Sequence, residues 1–264
     1  AVPLADLKNF RQLESRCPGH PEYRWTSGVE TTSGPLGQGV ATSVGMALAS
    51  NWLGHRYNKS NFQMFDFDVY ALAGDGCMME GISGEAASLA GHLGLSNLCW
   101  IYDNNHITIE GHTSLAFSED VAGRFLAYGW NVGRVSNANH LDLLREDFDH
   151  FKKTTDRPTL IIVDSHIGYG APTKQDTSAA HGEPLGEKEI RATKKRYGWP
   201  EDAKFLVPPE VPQDFKAKLG ERGAKLRGDW MALFSAYQNE YPELAAETLA
   251  IQHREPPEGW DAEI

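Results

Sequence analysis

Between residues 69 and 163 the chain repeats one pattern: a short apolar, β-prone run followed by a helical stretch. The apolar runs are 69–73, 98–102, 130–135 and 160–163, and the helical stretches are 80–93, 118–128 and 140–154. Parallel strands need a crossover connection, usually a helix, so this alternation predicts an α/β fold: a parallel β-sheet with helices on both faces. The near-continuous apolar character of VYALA and LIIV suits central strands, covered on both sides.

The flanks read differently. Residues 1–13 place Leu4, Leu7, Phe10 and Leu13 on one helical face. Residues 16–37 form a Pro/Gly-rich loop, and loops that long are usually functional or disordered. Residues 38–58 read as a helix rich in small side chains. Past Gly182 a helix is expected over 187–197, then the proline-rich connector PPEVPQDF, then charged amphipathic helices over 215–237 and 242–253. The tail EPPEGWDAEI reads as a linker. The expected division is an α/β domain over 1–200 and a helical extension and linker over 201–264.

With 264 residues, 41% hydrophobic and 23% charged, the chain has the composition of an ordinary globular protein. Its net charge of −11 opposes binding to nucleic acid or to an anionic membrane, and no apolar stretch is long enough to cross a bilayer. The cysteines, Cys17, Cys77 and Cys99, have no zinc spacing and fit a reducing, cytoplasmic compartment. The first residue is not Met, and the chain reads as starting inside a longer protein, so a plastid location stays compatible.

Ligands of a parallel sheet sit at the carboxyl ends of its strands. Gly74-Asp75-Gly76 follows the first run, Asp103-Asn104-Asn105-His106 the second, and the loop after the last ends in Ala180-His181-Gly182. A carboxylate between glycines suits a hard cation beneath a phosphate, with the helix starting near Glu80 offering free amides. Alone, the triplet is more often a turn in which Asp75 caps a helix. The spacer from Gly76 to Asn104-Asn105 holds one helix and one strand, which puts Asp75 and Asn105 on neighbouring strand ends.

That spacing is the thiamine-diphosphate signature, and the surrounding stretches resemble the transketolase family. PGHPE (residues 18–22), GVETTSGPLGQG (28–39), GDGCMMEGIS (74–83), SLAGHLGLSNL (88–98), YDNNHITIEGH (102–112), IGYGAP (167–172) and HGEPLG (181–186) occur in family order. The resemblance implies thiamine diphosphate as cofactor, with Mg2+ or a substitute such as Ca2+ held by Asp75, Asn105 and the carbonyl of Ile107. It assigns Gly34, Pro35, Leu36, Gly76, Asn105 and His181 to the cofactor, and His20 and His181 to its reactive end. Glu80, with Glu85, matches a glutamate pair near a dimer interface; Glu80 at a helix start is also favourable by the helix dipole alone.

The implied reaction moves a two-carbon ketol unit from a ketose phosphate to an aldose phosphate. The pyrimidine-binding domain, which completes the site across the interface of a homodimer, is absent from the sequence, so the chain is expected to be inactive alone. A dihydroxyacetone synthase shares most of these motifs and is the alternative, as is a non-catalytic subunit of a split enzyme. A metal phosphohydrolase would need a second carboxylate cluster, and a nicotinamide enzyme a Gly-x-Gly-x-x-Gly turn. Asn104, His106 and Asp164-Ser165-His166 depart from the family's common residues.

Overall fold

The structure is a computed structural model and describes residues 2–256, 259 and 261. Its contacts form two compact units: Ala1–Leu48 with Asp68–Phe205, and Ala49–Phe67 with Leu206–Ile264. The second unit thus draws in a segment lying well before the expected boundary at residue 200. Part of the EPPEGWDAEI tail lies outside the described residues.

In the first unit, α1 is Leu4–Leu7 and α2 begins at Gln38, running to Tyr57 in the second unit. Then come β1 (Val69–Gly74), α3 (Asp75–Met79), α4 (Gly81–His92) and β2 (Leu98–Asn104). A small hairpin follows, β3 (Ile107–Thr108) and β4 (Gly111–His112), and then α5 (Val121–Ala127), β5 (Asn131–Val135), α6 (Leu141–Lys153), β6 (Thr159–Asp164) and α7 (Glu187–Arg196). The main sheet is all parallel, in the order β1-β2-β6-β5.

Helices cover both faces, as expected. On one face Val40, Val44 and Ala47 of α2, Ala86, Ala87 and Ala90 of α4, and Phe125 of α5 pack on Leu98, Trp100, Tyr102, Leu160 and Ile162. On the other, Phe151, Leu144 and Phe148 of α6 pack on Cys99, Ile161, Val163 and Val135. The buried indoles keep their hydrogen bonds: Trp100 Nε1 donates to Ser43 Oγ at 2.9 Å and Trp130 Nε1 to the Ala87 carbonyl at 2.8 Å.

Several expectations need correction. VYALA is an edge strand: buried Val69, Ala71 and Ala73 alternate with exposed Tyr70 and Leu72, whereas β2 and β6 are the central strands. The first helix stops at Leu7, and Leu4, Leu7, Phe10 and Leu13 are exposed. An amphipathic stretch that short holds as a helix only where its apolar face is covered. The helix expected to begin near Glu80 is two: α3 starts at Asp75 and ends where Glu80 turns extended, at ψ 135°, and α4 starts at Gly81.

In the second unit, residues 210–215 of the expected connector are helical, α8 (Glu210–Phe215), because Pro209 and Pro212 lie where a helix start needs no N–H. A π-helical segment, Lys216–Glu221, joins α8 to α9 (Arg222–Glu240), and α10 is Pro242–His253. Phe62, Met64, Phe234, Tyr237 and Ala245 form the core of this unit. Tyr237 Oη donates to the Tyr57 carbonyl at 2.8 Å, and Arg56 pairs with both oxygens of Glu247.

Candidate cofactor and metal site

Register brings the site together. Gly74 of β1 lies opposite Asp103 of β2, so the residues that follow each strand meet at one sheet edge. Asp75 opens α3 directly after β1 and is buried. Its carboxylate accepts three hydrogen bonds: Tyr102 Oη donates to Oδ1 at 2.6 Å, and the backbone N–H groups of Asn105 and His106 donate to Oδ2 at 3.3 and 3.0 Å. Burial, reinforced by the hydrogen bond to Asp75, raises the Tyr102 phenol far above its ordinary value, so it stays a donor.

The Asn105 side chain is oriented at both ends. Its Nδ2 donates to Asp103 Oδ1 at 3.4 Å, and its Oδ1 accepts from the Ile107 N–H at 3.0 Å. Ser165 Oγ also donates to Asp103 Oδ1. Asp75, Asn105 and Ile107 are thus contiguous. His106 reaches Asp75 with its backbone at φ 62°, a left-handed conformation uncommon for a residue with a Cβ.

The loop before α2 packs on this edge. Gly34 has φ +124°, and a Cβ on it would fall 2.4 Å from His20 Cγ. Gly37 has φ +79°, and a Cβ there would fall 2.9 Å from Glu80 Cβ and 2.7 Å from Ile82 Cγ2. A Cβ on Gly76 would stand 3.1 Å from Leu36 Cδ1. Only residues without side chains let the 34–37 loop pass between His20 and the start of α4 while Leu36 lies over Gly76. His20, Gly34, Leu36, Gly76 and Glu80 are therefore neighbours, and Pro35 lies in the same loop. Ser33 N–H to the Pro21 carbonyl at 3.2 Å and Tyr23 N–H to Thr32 Oγ1 at 3.0 Å tie the two ends of the long loop together.

His181 joins this group through backbone. Arg11 Nη1 donates to the carbonyl of Gly182 at 3.3 Å, its N–H donates to the Cys17 carbonyl at 2.9 Å, and its guanidinium stem lies against Gly19. His20 and His181 are both exposed. Glu80 and Glu85 are exposed as well, on a groove shared with Arg124 and Tyr128.

Beside Asp75 lies a cavity of about 170 Å3 lined by Tyr102, Asn104, His106 and Arg134. There the departures from the family pattern form one network. Asn104 Nδ2 donates to Asp164 Oδ1 at 2.7 Å, and Arg134 donates to both oxygens of Asp164 at 3.0 and 2.9 Å. Burial alone would raise the Asp164 carboxyl, but the hydrogen bonds from Arg134 and Asn104 outweigh it and hold the group below the ordinary carboxylate range. His166 turns to Asp176, 2.9 Å away.

Tyr102 and Arg11 lie outside the residues expected at the site. A signal existed for Tyr102: a tyrosine closing an apolar strand buries a hydroxyl that needs a partner. None existed for Arg11, whose contacts are all to backbone or glycine.

A metal or cofactor can be tested against these residues by donor chemistry. Asp75 carboxylate, Asn105 amide and Ile107 carbonyl make an all-oxygen set with a single charge, which suits a hard divalent ion completed by phosphate oxygens and water. Among the described residues no group of three or more His, Cys, Asp and Glu could hold a metal by itself. The residues therefore fit an ion that arrives with an anionic ligand.

Residues 1–257 match the family described as transketolase, thiamine diphosphate binding domain. Over 263 residues the chain is 46% identical to the transketolase of Geobacillus stearothermophilus, covering all of this chain and 39% of that protein. It is 49% identical over 262 residues to the chloroplastic transketolase-1 of Arabidopsis thaliana, covering 99% of this chain and 35% of the relative. Among solved structures, a Pichia stipitis transketolase superposes with a TM-score of 0.94 at 42% identity, over all of this chain and 39% of the other. The transketolase of Leishmania mexicana gives 0.94 at 39% identity with the same coverage. The chain thus spans about two-fifths of the length of these relatives. It belongs to the transketolase family, and the part of that family it represents is the thiamine diphosphate binding domain.

Proposed function

We propose that this chain is the diphosphate- and metal-binding half of an enzyme that transfers a two-carbon ketol unit from a ketose phosphate to an aldose phosphate. The observation that carries the reading is the convergence of Asp75 and Asn105, with the Asn105 N–H 3.3 Å from the Asp75 carboxylate at the ends of adjacent parallel strands. Asp75, the Asn105 amide oxygen and the Ile107 carbonyl would hold Mg2+, with Ca2+ as a substitute. Gly76, Asn105 and His181 would face the diphosphate, and Gly34, Pro35 and Leu36 the cofactor's rings. Thiamine diphosphate, when bound, supplies the carbon nucleophile that carries the two-carbon unit.

His20 and His181 would bind substrate hydroxyls and move protons there, since imidazole titrates near neutral pH. Both are exposed, as groups meeting a diffusing sugar must be. Glu80, with Glu85, would lie at the interface of a homodimer and couple two sites. Sugar phosphates as substrates are supported by relatives: Pichia stipitis transketolase has been crystallised with xylulose 5-phosphate and with sedoheptulose 7-phosphate. A pyrimidine-binding domain or subunit would complete the site, so the chain alone is inactive.

Calorimetry of the chain with thiamine diphosphate, with and without Mg2+, tests the half-site. Metal-dependent binding abolished by Asp75→Ala is the expected result, and metal-independent binding would sink the assignment. A coupled ketol-transfer assay, with ribose 5-phosphate or formaldehyde as acceptor, should show no turnover by the chain alone.

A further inference from the structure

We infer that Tyr102 is a positioning residue that keeps Asp75 a one-oxygen ligand and thereby favours a small octahedral cation over a larger one. The inference rests on the assignment of Asp75 as a metal ligand proposed above.

A carboxylate has about four acceptor positions, two on each oxygen. On Asp75 Oδ2 both are taken, by the N–H groups of Asn105 and His106 at 3.3 and 3.0 Å. On Oδ1 one is taken, by Tyr102 Oη at 2.6 Å. The remaining position is on Oδ1, so a cation approaching this buried group meets one oxygen, held from its other side by the phenol. The backbone donors come from residues fixed by β2 and the following turn, and Tyr102 itself is 3% exposed. The carboxylate therefore cannot rotate to offer both oxygens without giving up hydrogen bonds in a site with little water to replace them.

The consequence is selectivity. Mg2+ takes six oxygens in strict octahedral geometry and is content with single-oxygen carboxylate contacts, while Ca2+ takes more ligands and often both oxygens of a carboxylate. Removing the phenol oxygen frees a second position on Oδ1 and loosens the group. That costs the ion that needs fixed geometry more than the ion that tolerates several.

The test compares Mg2+ and Ca2+ affinities of the 264-residue chain with saturating thiamine diphosphate, by calorimetry, for the wild type, Tyr102→Phe and Asp75→Ala. Tyr102→Phe should weaken Mg2+ roughly tenfold or more and Ca2+ by less, moving the ratio toward Ca2+. A merely structural role would lower both by the same factor; that result, or an unchanged ratio, overturns the inference. If Tyr102→Phe shifts nothing while Asp75→Ala abolishes binding, the inference falls and the metal assignment stands. If Asp75→Ala binds both ions like the wild type, both fall. A second measurement needs no substitution: in protein grown with 3-fluorotyrosine, the Tyr102 fluorine resonance should shift on adding Mg2+ to the cofactor complex. A resonance indifferent to Mg2+ overturns the inference too.

Discussion

Gly34 lies so close beneath the imidazole of His20 that a Cβ there would fall 2.4 Å from His20 Cγ. With φ at +124° the backbone is also one that side chains rarely adopt. Gly34→Ala should therefore displace both the loop and His20. Strain of this kind costs about 1–3 kcal/mol, so the thermal midpoint should drop by several degrees. Calorimetry should show weaker thiamine diphosphate binding, and an alanine variant that binds and melts like the wild type would contradict the packing.

Glu189 of α7 clamps the loop that leads to His181. Its carboxylate accepts from Thr173 N–H at 2.7 Å, Thr173 Oγ1 at 2.9 Å and Lys174 N–H at 3.2 Å. The backbone hydrogen bond from Thr173 is the main cause holding its pKa below the ordinary value of 4.5. A depressed carboxyl stabilises the clamp above the unfolded pKa, and that stabilisation is lost as pH falls through the folded value. Amide exchange at Thr173 and Lys174 should accordingly speed up, relative to the intrinsic rate, as pH drops below about 4.3. In Glu189→Gln the same amides should exchange faster at neutral pH and lose that acid dependence.

Arg134 keeps Asp164 ionised against its burial. Replacing Arg134 with Met should let the Asp164 carboxyl rise, since burial then opposes only the hydrogen bond from Asn104. The guanidinium is 57% exposed, so the loss of stability should be modest, about 1 kcal/mol or less. A carboxyl-detected NMR titration reads the shift directly; an Asp164 that titrates as in the wild type would remove Arg134 from the account.

His106 serves the site with its N–H, not its ring. The left-handed φ of 62° favours glycine, and His106→Gly keeps the N–H that donates to Asp75. Relief of about 1–2 kcal/mol of backbone strain is offset by glycine's greater freedom in the unfolded chain. The variant should bind Mg2+ and thiamine diphosphate like the wild type, with a melting temperature changed by only a few degrees. A large loss of affinity would show that the imidazole itself matters.

The sheet was legible because its evidence is local. Apolar runs bounded by glycine and polar residues mark strands whatever surrounds them, and α10 was located to the residue. Edges and centres were not legible. VYALA and LIIV read alike, yet Leu72 is 76% exposed, because strand order is a property of the whole sheet. The first helix misled for a related reason: periodicity showed that 1–13 could bury a face but not that anything covers it.

Residue types and spacing alone determined that Asp75 and Asn105 follow neighbouring strands, because one helix and one strand between them permit little else. Tertiary structure alone decided which oxygen of Asp75 stays open, why Gly34 has no side chain, and how Arg11 ties the His181 loop to the His20 loop. Chain connectivity carries information along the backbone, so order and period can be read from it. Hydrogen-bond direction and close packing arise between segments distant in sequence, and exist only once the sheet has brought them together.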